Sequence, residues 1–439
     1  MLEKLWNPYY AIMFFVEDFE LIDNLFYDER NDRGRANPMD VLSALDKLDQ
    51  IEILFEPIYS ADEHSIVAYE VNGRIADKDA VIDIEAFTYN EEVPEEIRAE
   101  VEQLVVRQAI EKALQEIESV DLYIPCNPNL LLIDFGESYF SMLKELVAEE
   151  KLHHITLLMN EHLSKTDIGQ LHHLIKYIQT YGVKVALENI GAHSQLDSLL
   201  LLEPSVLCID VGQLDYHKWG NQNHVFTTLR TLALKMGASL MVSGVDTIYQ
   251  LQHGWKNGAR YYKGAYLEKP SKDFIPRDTL KARFRDECEQ FIATEKKLIS
   301  QKLEEIKSLE KALISNVELT VPTSVEAEKL MELADQLQEY AFRLYICDGE
   351  GFQTTPNIRQ KEGRWVVEKE ALQKNWSWRP YFLENLLKMR QEQMANLSNA
   401  YSDIETGELT RTFSMALPNN EYLFIDISYN YLYEHNIVN

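Results

Sequence analysis

Polar residues at the ends of apolar strands are the chemistry this sequence offers. The stretch "VKVALENIGAH" (residues 183–193) runs through strand-forming residues to Glu188, then Asn189, and turns at Gly191. A polar pair at the carboxyl end of a buried strand, facing a glycine turn, is placed to hold a metal ion or a phosphate. Five other apolar stretches end in or near Glu70, Asn127, Asp210, Ser243 and Lys263, and one ends in Met159. Hard divalent cations want several charged oxygens, yet Glu188–Asn189 carries one charge between two residues. The pair is therefore either a working site or the remnant of one.

The elements that must position these residues follow from periodicity. Strands are expected at 51–59, 65–71, 121–126, 154–159, 183–188, 205–210, 238–244 and 259–266. Longer helical segments, such as 94–117 and 222–236, lie between them. Short, nearly all-apolar strands alternating with helices imply parallel pairing with both sheet faces covered. Eight of them fit an α/β fold of the (β/α)8 TIM-barrel type, whose sites lie at the carboxyl ends of the strands. The first two strands are joined by the turn "SADEH", so one strand is expected to run antiparallel.

Residues 273–316 read as one long helix with apolar positions at helical spacing, either packed as a single helix or paired with a second copy. After "TVPTS" the pattern changes to strands at 342–353, 363–368, 410–418 and 421–428 with helices at 324–340 and 380–396, an α+β domain. The expected organisation is an N-terminal extension (1–38), a barrel (39–272), a linker helix (273–316) and a smaller domain (317–439). The extension ends in the charged, turn-rich "DERNDRGRANP", and Met39 is a second candidate start.

The chain has 439 residues, 46% hydrophobic and 26% charged, in the range of a globular protein. Its 43 Lys+Arg against 72 Asp+Glu give a net charge of −29, which repels nucleic acid and anionic membranes. Four scattered cysteines form neither a zinc spacing nor a disulfide framework. With no apolar run of about 20 residues and no secretory signal, the expected location is the cytoplasm.

These stretches also resemble a known family. "FEPIYSADEHSIVAYEVNGRI", "YIPCNPNLL", "VALENIGAHSQLDSLLLLEPSVLCID" and "MVSGVDTIYQLQHGWKNGARYYKGAYLEKP" are similar to the EAL-domain family of cyclic-di-GMP phosphodiesterases over about 50–272. "NWSWRPYFLENLL" and "YSDIETGELTRTFS" resemble a YkuI-like subgroup, in which a PAS-like or Cache-like domain follows the barrel.

The resemblance implies metal-assisted hydrolysis of a phosphodiester, with two Mg²⁺ or Mn²⁺ ions activating water. It also implies that Glu70 and Asn127 stand at metal-ligand positions and that Arg74 contacts phosphate. The departures are many. Leu158 stands where the family has a ligand glutamate, and Glu188 and Asn189 replace paired aspartates. Cys208 replaces the lysine that holds the catalytic water, and Ser243 replaces an acid, with Asp246 as that motif's second acid. Lys263 replaces a glutamine and Glu56 replaces another in the first strand.

Two divalent ions carry +4, and the acids that remain are too few to match them. Glu70, Asn127 and Glu188 are thus remnants, and no resident cofactor is expected. Arg74, Asp210, Lys263 and Pro270 favour binding of cyclic-di-GMP, while Glu56 sets an acid against it. The reading carried forward is a catalytically inactive cyclic-di-GMP effector; a protein-interaction scaffold and a weak phosphodiesterase stand beside it. A homodimer and a protein partner are expected. In the tail, Trp376, Trp378, Arg379 and Tyr381 form either a pocket for an anionic small molecule or a small aromatic core. The pairs His153–His154 and His172–His173 read as surface residues.

Overall fold

The computed structural model describes residues 47–77, 80–116, 121–160, 167–191, 194–213, 219–320, 327–379, 382–392 and 395–438. The proposed extension and Met39 lie outside them. The chain divides into two compact units at Glu287/Cys288.

The first unit is a closed barrel. Its strands are β1 (Glu52–Ser60), β2 (Ile66–Asp77), β3 (Ala80–Asp83), β4 (Asp121–Pro125), β5 (Ile155–Asn160), β6 (Lys184–Glu188), β7 (Val206–Asp210), β8 (Ser239–Ser243) and β9 (Tyr261–Tyr262). Helices α1 (Ile84–Thr88) and α2 (Glu95–Glu116) precede β4, and α3 (Pro128–Leu131) and α4 (Glu137–Leu146) precede β5. Then α5 (Ile168–Gln179), α6 (Leu196–Leu202), α7 (Trp219–Met236) and α8 (Ile248–Lys256) precede β6, β7, β8 and β9 in turn. Pairing runs β1-β9-β8-β7-β6-β5-β4-β2, and β1 closes the ring on β2. β1 is antiparallel to both of its neighbours, and the other barrel pairs are parallel. This is the (β/α)8 architecture with the one reversed strand that the "SADEH" turn predicts.

Three boundaries differ from expectation for physical reasons. β2 continues past residue 71 to Asp77 and folds back on β3 as a hairpin, so Glu70 lies mid-strand. β9 is only two residues long, because the chain turns at Gly264 (φ +146°), where a Cβ would come within 2.3 Å of the Val245 backbone nitrogen. The long helix α9 (Lys281–Thr320) begins eight residues later than 273, since Pro276 precedes it and cannot sit in a helix interior.

The second unit is α+β. Helices α10 (Ala327–Gln336), α11 (Phe382–Glu392) and α12 (Tyr429–Glu434) accompany an antiparallel sheet. Its path is β12 (Arg364–Glu368), β11 (Asn357–Lys361), β10 (Ala341–Asp348), β16 (Glu421–Ile427), β15 (Leu409–Leu417) and β13 (Asn396–Leu397), with β14 (Tyr401–Ser402) pairing β15. β11, "NIRQK", has too few apolar residues to show alternation and was not legible. Leu309, Leu313 and Val317 of α9 join Leu344, Ile346, Phe413 and Ile425 in its core. Among the described residues no helix is long and apolar enough to cross a membrane, and all four cysteines are buried and free.

Candidate active site at the barrel mouth

The barrel interior is filled by Ile58, Ala68, Tyr123, Leu158, Ala186, Val206, Cys208 and Met241. Side chains two residues apart share a strand face, so the next inward layer toward the mouth is Glu56, Glu70, Pro125, Asn160, Glu188, Asp210, Ser243 and Lys263. Most of the residues read as strand-end candidates therefore converge, and Asn160, which the sequence reading missed, joins them. Asn160 is buried, pairs in register with Glu188, and its Oδ1 has no hydrogen-bond partner among the described residues.

Lys263 is the centre of this layer. The turn at Gly264 brings its backbone against Val245, whose N–H donates to the Lys263 carbonyl at 3.1 Å. Its side chain is 7% exposed. The ammonium donates to Glu70 Oε2 and lies 3.8 Å from Glu56 Oε2. Burial alone would favour loss of its proton, but the charges of Glu70 and Glu56 hold its pKa well above the ordinary lysine value. It is a charged ammonium engaged by two acids. Within the barrel this charge is met by Glu70 and Glu56.

The donor set does not fit a two-metal centre. Leu158 lies in the apolar interior. Burial pushes the Cys208 thiol up to about 12, so it holds its proton at neutral pH, although Lys263 opposes the shift. Asn127 is engaged by its neighbours. It follows β4, caps α3 by accepting from Asn129 N–H at 2.9 Å, and donates Nδ2 to the Thr88 carbonyl at 2.9 Å. The β4 residue on the inward face, in register with Leu158, is Pro125, which offers no side-chain ligand. Asn189 has φ +57°, a left-handed conformation that asparagine tolerates well, so it serves the turn after Glu188. Asp246 N–H donates to Gln250 Oε1 in the capping box that starts α8.

The remaining residues are placed as follows. Asp210 accepts from Gly212 N–H at 2.8 Å. Ser243 is half-buried at the end of β8. Pro270 precedes Ser271, which exchanges two backbone hydrogen bonds with Phe55 and fixes the edge beside Glu56. Arg74 lies on the same face of β2 as Glu70, half-buried, and no hydrogen bond or ion pair to its guanidinium is found among the described residues.

Two acids that the sequence reading missed extend the layer. Glu85, in α1, meets the Glu188 carboxyl. Burial, then the charge of Glu85, raises the Glu188 pKa well above the carboxylate range, and burial likewise raises Glu85. The two cannot both ionise cheaply, so the pair retains a proton. Glu102, in α2, is buried and accepts from Asn127 N–H at 3.0 Å. Asn72 and Glu102 line a cavity of about 30 Å³, room for one water. Asn72 Nδ2 and Glu102 Oε2 are buried without a partner among the described residues.

Burial pushes Glu102 up to about 8 from an ordinary value of 4.5. Between those values the unfolded chain ionises while the folded one keeps its proton, so stability falls as pH rises through this window. Glu102→Gln is expected to remove that loss. Relative to the native chain, it should gain on the order of 2–4 kcal/mol at pH 9 over pH 5 in denaturant unfolding. Equal pH dependence in the two proteins would show that Glu102 titrates normally.

In the second unit, Trp376 packs beside Tyr345, Cys347, Phe382, Leu386, Met389, Tyr422 and Phe424. Tyr345 and Phe382 both stack on Phe424, and Trp376 Nε1 donates to the buried Gln353 Oε1 at 3.0 Å. These rings are a core. Arg379 lies over the Trp376 and Trp378 rings at 4.6 and 5.9 Å, Trp378 is 63% exposed, and Tyr381 lies outside the described residues. "YSDIETGE" is a turn tied to Arg343, a residue with no sequence signal: its guanidinium pairs with Asp403, with Asp426 at 2.6 Å and with Glu405 at 3.0 Å.

The histidines take separate partners. His154 pairs with Asp121 at 2.8 Å, while His153 and His172 contact backbone carbonyls. The His153 and His154 rings do approach, with centroids 4.1 Å apart.

A closed barrel with one reversed strand and a mouth built on Glu70 belongs to a recognisable class. Residues 40–270 match the EAL domain and residues 274–438 the EAL-domain associated signalling protein domain, so the chain belongs to the EAL-domain family. It is 38% identical over 401 residues to the uncharacterized EAL-domain containing protein YkuI of Bacillus subtilis, covering 90% of this chain and 98% of YkuI. The crystal structure of that protein, in complex with substrate c-di-GMP and calcium, superposes with a TM-score of 0.84 over 91% of this chain and 100% of YkuI. The FimX EAL domain of Pseudomonas aeruginosa, bound to c-di-GMP, is 21% identical with a TM-score of 0.45, over 53% of this chain and 97% of that one. The YkuI-like subgroup expected from the tail motifs is the one found.

Proposed function

We propose that this chain is a non-catalytic cyclic-di-GMP receptor whose binding needs no divalent ion. The observation that carries this reading is the Lys263–Glu70 ion pair, a protein-supplied cation on the remaining family acid. Leu158 and the Cys208 thiol support it, because each stands where the family resemblance implies a group that metal-assisted hydrolysis requires. Ligand binding is supported by the similarity to YkuI, which was crystallised with c-di-GMP, and by Arg74, whose guanidinium suits a phosphate. Glu56, read from sequence as opposing an anionic ligand, lies 3.8 Å from Lys263, an ammonium that it shares with Glu70. The second unit would pass the bound state to a protein partner or add a small-molecule signal of its own.

Calorimetric titration with cyclic-di-GMP, in Mg²⁺ and again in EDTA, tests this, with the cell contents analysed afterwards for linear product. Equal affinity in both buffers and intact ligand are expected. Arg74→Ala should weaken binding roughly tenfold to a hundredfold, the loss of one charge-assisted contact. Absence of heat in either buffer would favour a scaffold, and metal-dependent product would mean that the site still turns over.

A further inference from the structure

Lys263 is fixed by its backbone on both sides. Its N–H donates to the Val242 carbonyl at 3.0 Å, and its own carbonyl accepts from Val245 N–H. The side chain enters the mouth layer from that fixed point, next to the apolar interior of Leu158, Ala186 and Met241. An ammonium carries three N–H donors and no acceptor. One of them goes to Glu70 Oε2. Glu56 Oε2, at 3.8 Å, attracts the charge but lies beyond hydrogen-bond reach. No other hydrogen bond from this ammonium is found among the described residues, so two donors of a residue that is 7% exposed remain to be met. A buried donor left unmet is costly, and more so when it is charged.

Taking the chain as the receptor proposed above, we infer that the Lys263 ammonium bridges Glu70 and a phosphate of the dinucleotide. One N–H stays on Glu70, and the two others donate to the phosphodiester. The chemistry of the two sides matches. A phosphodiester offers acceptors and no donor, which is what two spare N–H groups require, and a charged donor on a charged acceptor makes the stronger kind of hydrogen bond. In metal-assisted sites a divalent ion makes the same bridge between acid and phosphate. The ammonium differs from such an ion in one respect that matters for the reaction. It is no Lewis acid and generates no bound hydroxide, so it can hold the phosphate without activating a water to attack it.

Titration with cyclic-di-GMP, in EDTA and again in Mg²⁺, is compared for the native chain and Lys263→Gln. The native chain should bind equally in both buffers. Lys263→Gln should bind about tenfold or more weakly in EDTA. In Mg²⁺ it should recover, because the ion then takes the ammonium's place on Glu70. A merely structural lysine would give the same loss in both buffers. Since Lys263→Gln strands Glu70 and Glu56 and can fail to fold, a second measurement uses the native chain. The side-chain ammonium resonance of Lys263, identified by its absence from Lys263→Met/Glu70→Met/Glu56→Gln, should shift when cyclic-di-GMP is added in EDTA. Native binding without that shift, unchanged affinity of Lys263→Gln in EDTA, or an equal loss in both buffers would each overturn the bridge and leave the receptor standing. No native binding in EDTA would overturn both.

Discussion

Replacing Lys263 with alanine is expected to destabilise the barrel by about 3–5 kcal/mol. Lys263 is 7% exposed and its ammonium donates to Glu70, itself 6% exposed, with Glu56 3.8 Å away. Removing it leaves two carboxylates in the barrel mouth with no cation, and an unpaired buried charge costs far more than the pair contributes when intact. The triple variant Lys263→Met/Glu70→Met/Glu56→Gln removes the cation and both acids that it meets and should recover most of the loss. Urea unfolding of the barrel, followed by circular dichroism, measures all three proteins. If Lys263→Ala were as stable as the native chain, the acids would have to be hydrated or neutral, and the idea of an internal replacement for a metal would fail. Glu70 is also the acid that the family resemblance implies as a ligand, so this ion pair links the barrel's stability to a family site position.

That linkage was only partly legible beforehand. Leu158 and Cys208 could be read directly, since a substitution at a motif position needs no geometry. Lys263 was seen, but its partner lies 193 residues away in sequence, and nothing in either local stretch says whether the ammonium meets an acid or a ligand. The capping role of Asn127 had a local signal: an asparagine immediately before a proline is an N-cap signature, with the proline at the first helical position. Glu85 and Glu102 were hidden for the opposite reason. Each sits on a helix, where a glutamate ordinarily faces water, and Glu102 has other acids around it. The strand order survived these errors because alternation of apolar strands and helices is a property of long segments, whereas a site depends on which of two neighbouring residues faces inward.

The second large effect is expected in the second unit, at Arg343. It is buried near the start of β10, where its guanidinium reaches Asp426 on β16 at 2.6 Å and both Asp403 and Glu405 in the "YSDIETGE" turn. Asp426 is fully buried and also accepts from Thr412 Oγ1 at 2.6 Å. Asp403 accepts from the Glu405 and Thr406 N–H groups at 3.0 and 2.9 Å, so the cluster ties the turn to the sheet. Arg343→Ala strands two buried acids, and about 3–5 kcal/mol of the second unit's stability should go with it. Lysine should rescue only part, since one ammonium cannot reproduce a forked set of contacts. The cluster also fixes a sign in pH. Burial would raise the Asp403 pKa, but the Arg343 charge and the turn's N–H groups outweigh it and hold the acid below its ordinary value. Its contribution is therefore fully present above about pH 4, the unfolded value, and is lost as pH falls through the lower folded one. Thermal unfolding between pH 2 and pH 6 should show a steeper acid loss in the native chain than in Arg343→Ala. Parallel curves would mean that the acids are held by their hydrogen bonds and not by the guanidinium.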